Sequence, residues 1–310
     1  MRAILPEMAA ASLVLIGLGA VPARAADVFT VCLNENVPLY SVHHGKESTG
    51  FDLAVAAAVA KRLERALEVQ WYESKLDMDA SSVLGANALL SDGRCRLVGG
   101  YPLARDALGK PGIDTARLPD FDGAPPGDRR RRVALGTLVP SRAYHRAPLT
   151  IVLSGATAAK PIRSLADLQG MKLGVEASTL GDAILMLYRD GALVDQITHL
   201  TPGRGELMPR LEKGDFDATM VDLRQFDAYR TEHPDTKVSA SGFYYRIGFN
   251  LGFVGLSTEA ALIEQVDKAI EDLLAKDEIA PLAKANGLTY VPPTQPEILE
   301  HFNLTDLHGD

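Results

Sequence analysis

The sequence predicts an α/β protein of two lobes, each with a mixed, mainly parallel sheet flanked by helices. The first observation is that short apolar, β-rich segments alternate with helical patterns in the first part of the chain. The second is that the same alternation starts again near residue 154. Strand, helix and strand in succession form the unit of parallel sheets. The third is the length of 310 residues, which is too much for one ordinary core and suits two.

The first 25 residues have the pattern of a secretory signal peptide. Arg2 precedes a mostly apolar stretch over residues 8–21, and Ala23-Arg24-Ala25 fits the small-x-small site of signal peptidase. The apolar stretch is too short to span a membrane. We therefore expect residues 1–25 to be removed, leaving a periplasmic chain without membrane insertion. An uncleaved membrane anchor is the alternative.

The amino-acid composition limits the kinds of molecule that this protein can bind. The formal net charge is −8 at pH 7, which argues against nucleic acid and anionic membrane surfaces. The overall sign does not define the ligand, because a few local arginines can outweigh a negative surface. We expect a small-molecule ligand.

Two cysteines, Cys32 and Cys95, are present, and both fall in predicted strands. In an exported chain an even number of cysteines can oxidise to a disulfide. Two buried free thiols are the alternative. No Cys-x-x-Cys or His-x-x-x-His spacing supports a metal site, so none is expected.

The elements of the first lobe follow in order from the apolar spacing and the turn residues. They are strands 28–33, 67–71 and 95–100 and helices 53–63 and 82–90. Residues 105–128 then interleave prolines with glycines. This composition predicts a loop insertion at the edge of the lobe, where it could cover a cleft.

The second lobe repeats this order, and the chain then returns to strand and helix. The predicted strands are 149–153, 172–175, 217–221 and 247–256, and the predicted helices are 164–168, 182–188, 206–213, 260–275 and 279–285.

Several short sequence motifs follow one another in an order that is typical of one protein family. They are Thr49-Gly50-Phe51-Asp52 before a helix, Leu90-x-x-Gly93 up to Gly100, Ser164-Leu165-x-Asp167-Leu168-x-Gly170-x-Lys172-x-Gly174-Val175, and Leu211-x-x-Gly214-x-x-Asp217-Ala218 followed by Asp222. Together they resemble the type II periplasmic solute-binding proteins, in particular solute-binding family 3, the polar amino acid binding type. The resemblance covers essentially the whole mature chain. Arg96 departs from it, since an aspartate is usual there.

The resemblance implies a periplasmic-binding-protein type II fold with a hinge of two crossover segments, near residues 143–151 and 244–249. It assigns residues 26–147, with the 105–128 insertion, to the first part of lobe 1, residues 148–245 to lobe 2, and residues 246–310 to the second part of lobe 1. It also implies a monomeric receptor that captures a carboxylate-bearing solute by lobe closure and delivers it to the permease of an ABC importer. Such a receptor is not an enzyme.

Ligand groups are expected at the carboxyl ends of parallel strands, where loops and helix N-termini present free N–H groups. By this rule the candidates are Asn34, Glu35 and Asn36 after the first strand, Trp71 after the second and Tyr101 after the third. Core packing is the alternative for Trp71.

The resemblance implies further site residues. Ser178 and Thr179 match the position that holds a carboxylate at a helix N-terminus, and Asp222 matches the acid that takes an α-ammonium group. Arg105 and Arg132 are the candidates for the arginine that clamps a carboxylate bidentately. The alternatives are helix capping for Ser178 and Thr179, a solvated carboxylate for Asp222, and a solvated basic run for Arg132.

Other ligands and functions stay open. Pro102 and Ala104 stand where many amino acid binders have hydroxyl residues. A pairing of Cys32 with Cys95 also resembles binding proteins encoded beside quinoprotein dehydrogenases. That resemblance implies a periplasmic accessory protein of such an enzyme, or a binder of pyrroloquinoline quinone, whose ring would stack on aromatic side chains. We expect no other cofactor.

The last alternative is a cyclohexadienyl-dehydratase-like enzyme on the same fold. It would need an acid of raised pKa in the cleft. Glu35, Glu73 and Glu176 are the nominees, and no serine, histidine and acid constellation accompanies them.

Overall fold

The computed structural model describes residues 28–73, 82–128, 131–301 and 304–309. The predicted signal peptide lies outside the described residues. Within the described part of the chain, no helix is both long and apolar enough to cross a membrane.

The described residues form a mixed α/β structure. The strands are β1 (Val28–Asn34), β2 (Asn36–Val37), β3 (Ser41–His44), β4 (Glu47–Thr49), β5 (Ala66–Glu73), β6 (Leu97–Pro102), β7 (Thr115–Arg117), β8 (Asp120–Phe121), β9 (Arg132–Ala134), β10 (Leu138–Leu153), β11 (Leu173–Glu176), β12 (Ile197–Leu200), β13 (Ala218–Asp222) and β14 (Ser239–Leu256). The α-helices are α1 (Phe51–Arg62), α2 (Ser82–Ser91), α3 (Leu180–Leu187), α4 (Leu207–Lys213), α5 (Leu223–Glu232), α6 (Ala260–Ala275) and α7 (Ile279–Ala285).

One nine-stranded sheet runs through both lobes in the order β12-β11-β13-β10-β14-β6-β1-β5-β8. Strands β5, β1 and β6 are parallel neighbours, and so are β12, β11 and β13. The long antiparallel strands β10 and β14 lie between these two parallel groups. The two hinge segments predicted from the resemblance are therefore the middle parts of β10 and β14, where Pro148 pairs with Gly248.

Lobe 1, the β5-β1-β6 group and its helices, has an apolar cluster on each face of its sheet. One cluster joins α1, α6 and α7 to the strands, for example through Val55, Val266 and Ile279. The other joins α2 to the 105–128 insertion, for example through Leu89 and Phe121. Lobe 1 thus draws on both the first and the last part of the chain.

Lobe 2, the β12-β11-β13 group and its helices, is built in the same way. Ile184 of α3 belongs to the cluster on one face. Leu211 of α4 and Phe226 of α5 belong to the cluster on the other. The end of the described chain also contacts this lobe, since Leu307 is buried in the α3 cluster and the Tyr245 hydroxyl donates to Gly309 O over 2.8 Å.

The elements confirm most of the predicted order, with several differences, one of which is the unpredicted three-stranded sheet β2-β3-β4. Helices 260–275 and 279–285 have the predicted bounds. Strands β10 and β14 are much longer than predicted, because each continues through both lobes. Strand β12 and helix α5 were not predicted. The insertion is not all loop: β7 pairs with β9, and β8 pairs with β5.

The Cys32–Cys95 disulfide is confirmed, with a Cα–Cα distance of 5.6 Å. Cys32 lies in β1, as predicted. The placement of Cys95 in a strand is wrong, because β6 begins at Leu97 and Cys95 lies in the turn before it. The bridge ties the start of β6 to β1 inside a buried cluster.

Candidate ligand site in the cleft

A cavity of about 550 Å³ lies where the two lobes face each other. It has the size range of small-molecule sites. Its lining comes from the carboxyl ends of β1 and β6, the start of α5, and the hinge residues Ala147 and Phe249. We call it the main cavity. Its polar side chains include Asn34, Asn36, Ser41, Asp52, Asp222 and Arg224, and its aromatic ones Tyr40, Tyr72, Tyr101 and Phe249.

Arg224 is the one cationic side chain among the described residues that line the main cavity. It follows Asp222, whose Oδ1 accepts a hydrogen bond from Arg224 N over 2.8 Å and so caps α5. The guanidinium of Arg224 lies 5.6 Å from the ring centroid of Tyr40, in lobe 1. Within the described residues its guanidinium makes neither a hydrogen bond nor an ion pair. It is therefore available to an anionic group of a ligand.

Tyr40 holds this cation on its ring face without carrying charge itself. Its side chain is buried and its hydroxyl lies 3.1 Å from His145 Nε2. Burial raises the pKa of Tyr40 well above its usual value, with Asp222 and Asp52 adding to the rise. Burial lowers the pKa of His145 to about 4. Both rings are neutral at pH 7, so the attraction between Arg224 and Tyr40 is a cation–π contact.

Asp52 is the most deeply buried acid that lines the main cavity, and it lies in the first turn of α1. Asp52 Oδ1 accepts a hydrogen bond from the Tyr144 hydroxyl over 2.8 Å. The hydroxyl oxygen of Tyr144 in turn accepts a hydrogen bond from Gly100 N over 2.8 Å. Asp52 Oδ2 lies against Gly100, where an added Cβ would approach it to 2.3 Å. Burial raises the pKa of Asp52 to about 7, against the opposing effects of Tyr144 and Arg224.

A second cavity of about 230 Å³ lies in lobe 2 between the start of α3 and β13. It shares Ala147, Asp222 and Phe249 with the main cavity. We call it the lobe 2 cavity. Its other lining residues are Leu149, Glu176, Thr179, Leu180, Gly181, Leu207, Met220, Val221, Gln225 and Gly248.

Five of the predicted site residues line these two cavities. Asn34, Asn36 and Tyr101 line the main cavity, Thr179 lines the lobe 2 cavity, and Asp222 lines both. The Tyr101 hydroxyl donates a hydrogen bond to Ala107 O over 2.7 Å. Because that donor is already used, the ring of Tyr101 is the part that a ligand would contact. Burial raises the pKa of Asp222. The structure thus brings predicted residues of both lobes together.

The other predicted residues stand outside the described lining of both cavities. Glu35 has a pKa raised by burial and by Asp122 and Glu73. Trp71 stacks on His43 with ring centroids 4.9 Å apart. Ser178 N donates to Asp182 Oδ2 over 2.8 Å, whereas the residue that caps α3 is Thr179, whose hydroxyl oxygen accepts from Asp182 N over 3.2 Å.

The two arginines predicted to clamp a carboxylate have other partners. Arg105 makes two hydrogen bonds to Glu300, and Arg132 donates to the side chain and carbonyl of Thr115. Both are exposed, and neither lines either cavity among the described residues. The arginine that lines the main cavity among the described residues is instead Arg224 of lobe 2.

Sequence reasoning missed Arg224, Tyr40 and Asp52. Arg224 lies on α5, which was not predicted, although Asp222 as a cap followed by Leu223, Phe226 and Tyr229 has helical spacing. Asp52 belongs to the Thr49-Gly50-Phe51-Asp52 motif, which assigns it no contact with a ligand, and Tyr40 belongs to none of the motifs named above. Both contact hinge strand β10, through Tyr144 and His145.

No group of histidine, cysteine, aspartate or glutamate side chains within the described ranges could hold a metal ion.

Comparisons with known proteins support the fold. A family model described as NMT1/THI5 like matches residues 142–274, which contain β11 to β13 with helices α3 to α5, most of β10 and all of β14. The unliganded, open L-cystine solute receptor of Neisseria gonorrhoeae has a TM-score of 0.61 at 18% identity, covering 87% of this chain and 96% of that one. Among curated proteins, no sequence matches.

Two further solved structures are similar. Substrate-binding domain 2 of Lactococcus lactis GlnP, also open, has a TM-score of 0.58 at 18% identity and covers 84% of this chain and 97% of that one. A histidine kinase sensor domain similar to periplasmic binding proteins has a TM-score of 0.51 at 12% identity, covering 87% and 99%. The chain therefore has the two-lobed periplasmic-binding-protein fold. No particular member follows from identities this low.

Proposed function

We propose that this protein is a solute-binding receptor that captures a small molecule by closing its two lobes. The observation that carries the proposal is Arg224. Its guanidinium projects from lobe 2 over a tyrosine of lobe 1, in a cavity lined by both lobes and both hinge strands. A solute held there contacts both lobes at once, so it binds the closed arrangement more tightly and shifts the population toward it.

The proposed solute carries a carboxylate. Arg224 would pair with it through charge-assisted hydrogen bonds, which are about twice as strong as neutral ones. A cationic group on the same solute would be taken by Asp222, two residues away. Asn34 and Asn36 would add neutral hydrogen bonds, and the rings of Tyr72 and Tyr101 would add apolar contact.

The proposed partner is the permease of an ABC importer, and the proposed location is the periplasm. Two of the similar structures are a solute receptor and a substrate-binding domain. The predicted signal peptide agrees with this location. We also propose that the receptor acts as a monomer without catalysis.

Isothermal titration tests the receptor proposal. The panel contains amino acids, aromatic carboxylates and pyrroloquinoline quinone, each titrated and then checked for chemical change. Saturable binding without turnover is expected for at least one carboxylate-bearing solute. Turnover, or no binding by any member, would contradict the proposal.

A quinone polycarboxylate, or an accessory role beside a quinoprotein dehydrogenase, is the less favoured alternative. Four aromatic side chains line the main cavity and would suit a ring. The charges do not fit a polycarboxylate, because the described lining of the main cavity offers a single guanidinium, that of Arg224, for several carboxylates and also contains Asp222. The quinone arm of the titration tests this alternative directly.

Asp52 is the observation that favours an enzyme as a second candidate. A general acid works best with a pKa near the operating pH, and the pKa of Asp52 is about 7. A dehydratase would use this proton on a hydroxyl leaving group. Incubation with prephenate and detection of the aromatic product tests it, with Asp52→Asn as the variant expected to abolish turnover.

A further inference from the structure

The lobe 2 cavity has the character of a separate apolar subsite. Apolar side chains form the larger part of its lining, among them Leu149, Leu180, Leu207 and Val221, and its polar side chains are those of Glu176, Thr179, Asp222 and Gln225. Leu149, Leu207 and Val221 are buried, and Leu180 is partly buried. An apolar space of this kind gains free energy when it takes up a group that water solvates poorly.

The size of this cavity fits a whole substituent of a ligand. Its volume is about 230 Å³, and an engineered apolar cavity of about 150 Å³ in another protein holds benzene. The wall is set by close backbone packing at Gly181, where an added Cβ would lie 2.5 Å from Met220 O. The start of α3 is thereby held directly on β13.

The lobe 2 cavity adjoins the main cavity, and this indicates which part of a ligand it would hold. Asp222 lines both cavities and so does Phe249 of the hinge strand β14. A solute whose polar head contacts Asp222 and Arg224 therefore has one end beside the entrance to the lobe 2 cavity. An apolar substituent attached to that head can extend into it.

We propose that the lobe 2 cavity is a subsite for the apolar tail of an amphipathic solute, whose charged head binds at Asp222 and Arg224. This inference rests on the proposed receptor function and adds to it a class of ligand: a charged head joined to an aliphatic chain or ring. Small, wholly polar solutes leave the lobe 2 cavity without a partner.

A homologous series measures the subsite. The probes are the unbranched 2-aminoalkanoic acids from glycine to 2-aminooctanoate, which share one head and differ only in chain length. The expected result is a gain in affinity of about fourfold per added methylene, until the cavity is full and the gain stops. Isothermal titration gives each dissociation constant.

Two variants test whether the gain in affinity per methylene comes from the lobe 2 cavity. Leu180→Gln puts a polar group of similar length into the lining and is expected to reduce the gain to about twofold per methylene or less. Leu187→Gln is the matched control, because Leu187 lies on the same helix and packs against the core without lining either cavity. It should leave the gain at its wild-type value. If Leu180→Gln does not fold, Gln225→Leu serves instead and should increase the gain.

The outcomes separate the subsite from the receptor. Equal affinity along the whole series overturns the subsite and leaves the receptor proposal standing. The same holds if Leu180→Gln and Leu187→Gln change the gain equally. If no member of the series binds, the subsite is overturned, and the receptor proposal then depends on the aromatic and quinone members of the wider panel.

Discussion

The Tyr144 hydroxyl donates a 2.8 Å hydrogen bond to Asp52 Oδ1, which joins hinge strand β10 to the first turn of α1. The same oxygen of Tyr144 accepts from Gly100 N at the end of β6. One buried side chain of the hinge therefore fixes two elements that line the main cavity. The lobe 1 half of the main cavity is thus tied to a strand that runs through both lobes.

The raised pKa of Asp52 predicts how stability depends on pH. Its pKa is about 7 in the fold and about 3.9 in an unfolded chain. Between these values the folded state holds a proton that the unfolded state has lost. The free energy of unfolding therefore falls as pH rises, by at most about 1.4 kcal/mol per pH unit from this group.

Asp52→Asn removes this dependence, because asparagine stays neutral and its Oδ1 still accepts from Tyr144. Urea unfolding of both proteins at about pH 5 and about pH 7 measures the difference. The wild type should lose stability relative to the variant as pH rises. Equal changes in the wild type and the variant would show that Asp52 is already ionised in the fold at both pH values, as it is in the unfolded chain.

Arg224 is predicted to carry the affinity for a carboxylate. Replacement by alanine should weaken binding of a carboxylate-bearing solute about 10- to 150-fold, the range for a hydrogen bond to a charged group. Arg224→Lys should recover only part of this, because an ammonium lacks the bidentate fork. Arg204→Ala, at an exposed arginine of lobe 2, is the control and should bind as the wild type does. Equal affinities of wild type and Arg224→Ala would remove Arg224 from the site.

The disulfide is predicted to stabilise the fold substantially. It closes a sequence separation of 63 residues, for which loop entropy gives about 4 kcal/mol. The double variant Cys32→Ala and Cys95→Ala should unfold at a correspondingly lower urea concentration, and the wild type under reducing conditions should move the same way. Unchanged midpoints in both would show that the bridge adds nothing.

Asp227 of α5 ties lobe 2 to the segment after α7. Its buried carboxylate accepts from Thr289 N over 2.7 Å, from the Thr289 hydroxyl over 2.8 Å and from Arg230 over 2.8 Å. Thr289→Val removes one donor and should cost about 1–2 kcal/mol of the free energy of unfolding. Thr289→Ser keeps the hydroxyl and should cost less. A larger loss in the serine variant would assign the effect to methyl packing.

The fold could be predicted from the sequence because local patterns agree with it. Strand and helix spacing marks most elements, and the bounds of α6 and α7 follow from apolar periodicity alone. The lengths of β10 and β14 could not be predicted, because most of each strand is defined by its pairing with the other, which is about 100 residues away in the sequence.

The site could be predicted only in part. Asn34, Asn36 and Tyr101, which the strand ends single out, line the main cavity. Arg105 and Arg132 lie outside the described lining of both cavities, because the direction of an arginine side chain depends on its neighbours, here Glu300 and Thr115. Arg224 escaped notice for the converse reason, since its ring partner Tyr40 is far away in sequence.

The most direct test of lobe closure is small-angle X-ray scattering of the protein, alone and saturated with the panel solute that binds most tightly. The account predicts a smaller radius of gyration on saturation, and no such change in Arg224→Ala given the same solute at the same concentration. A radius of gyration that stays constant while titration shows the cleft to be occupied would contradict it.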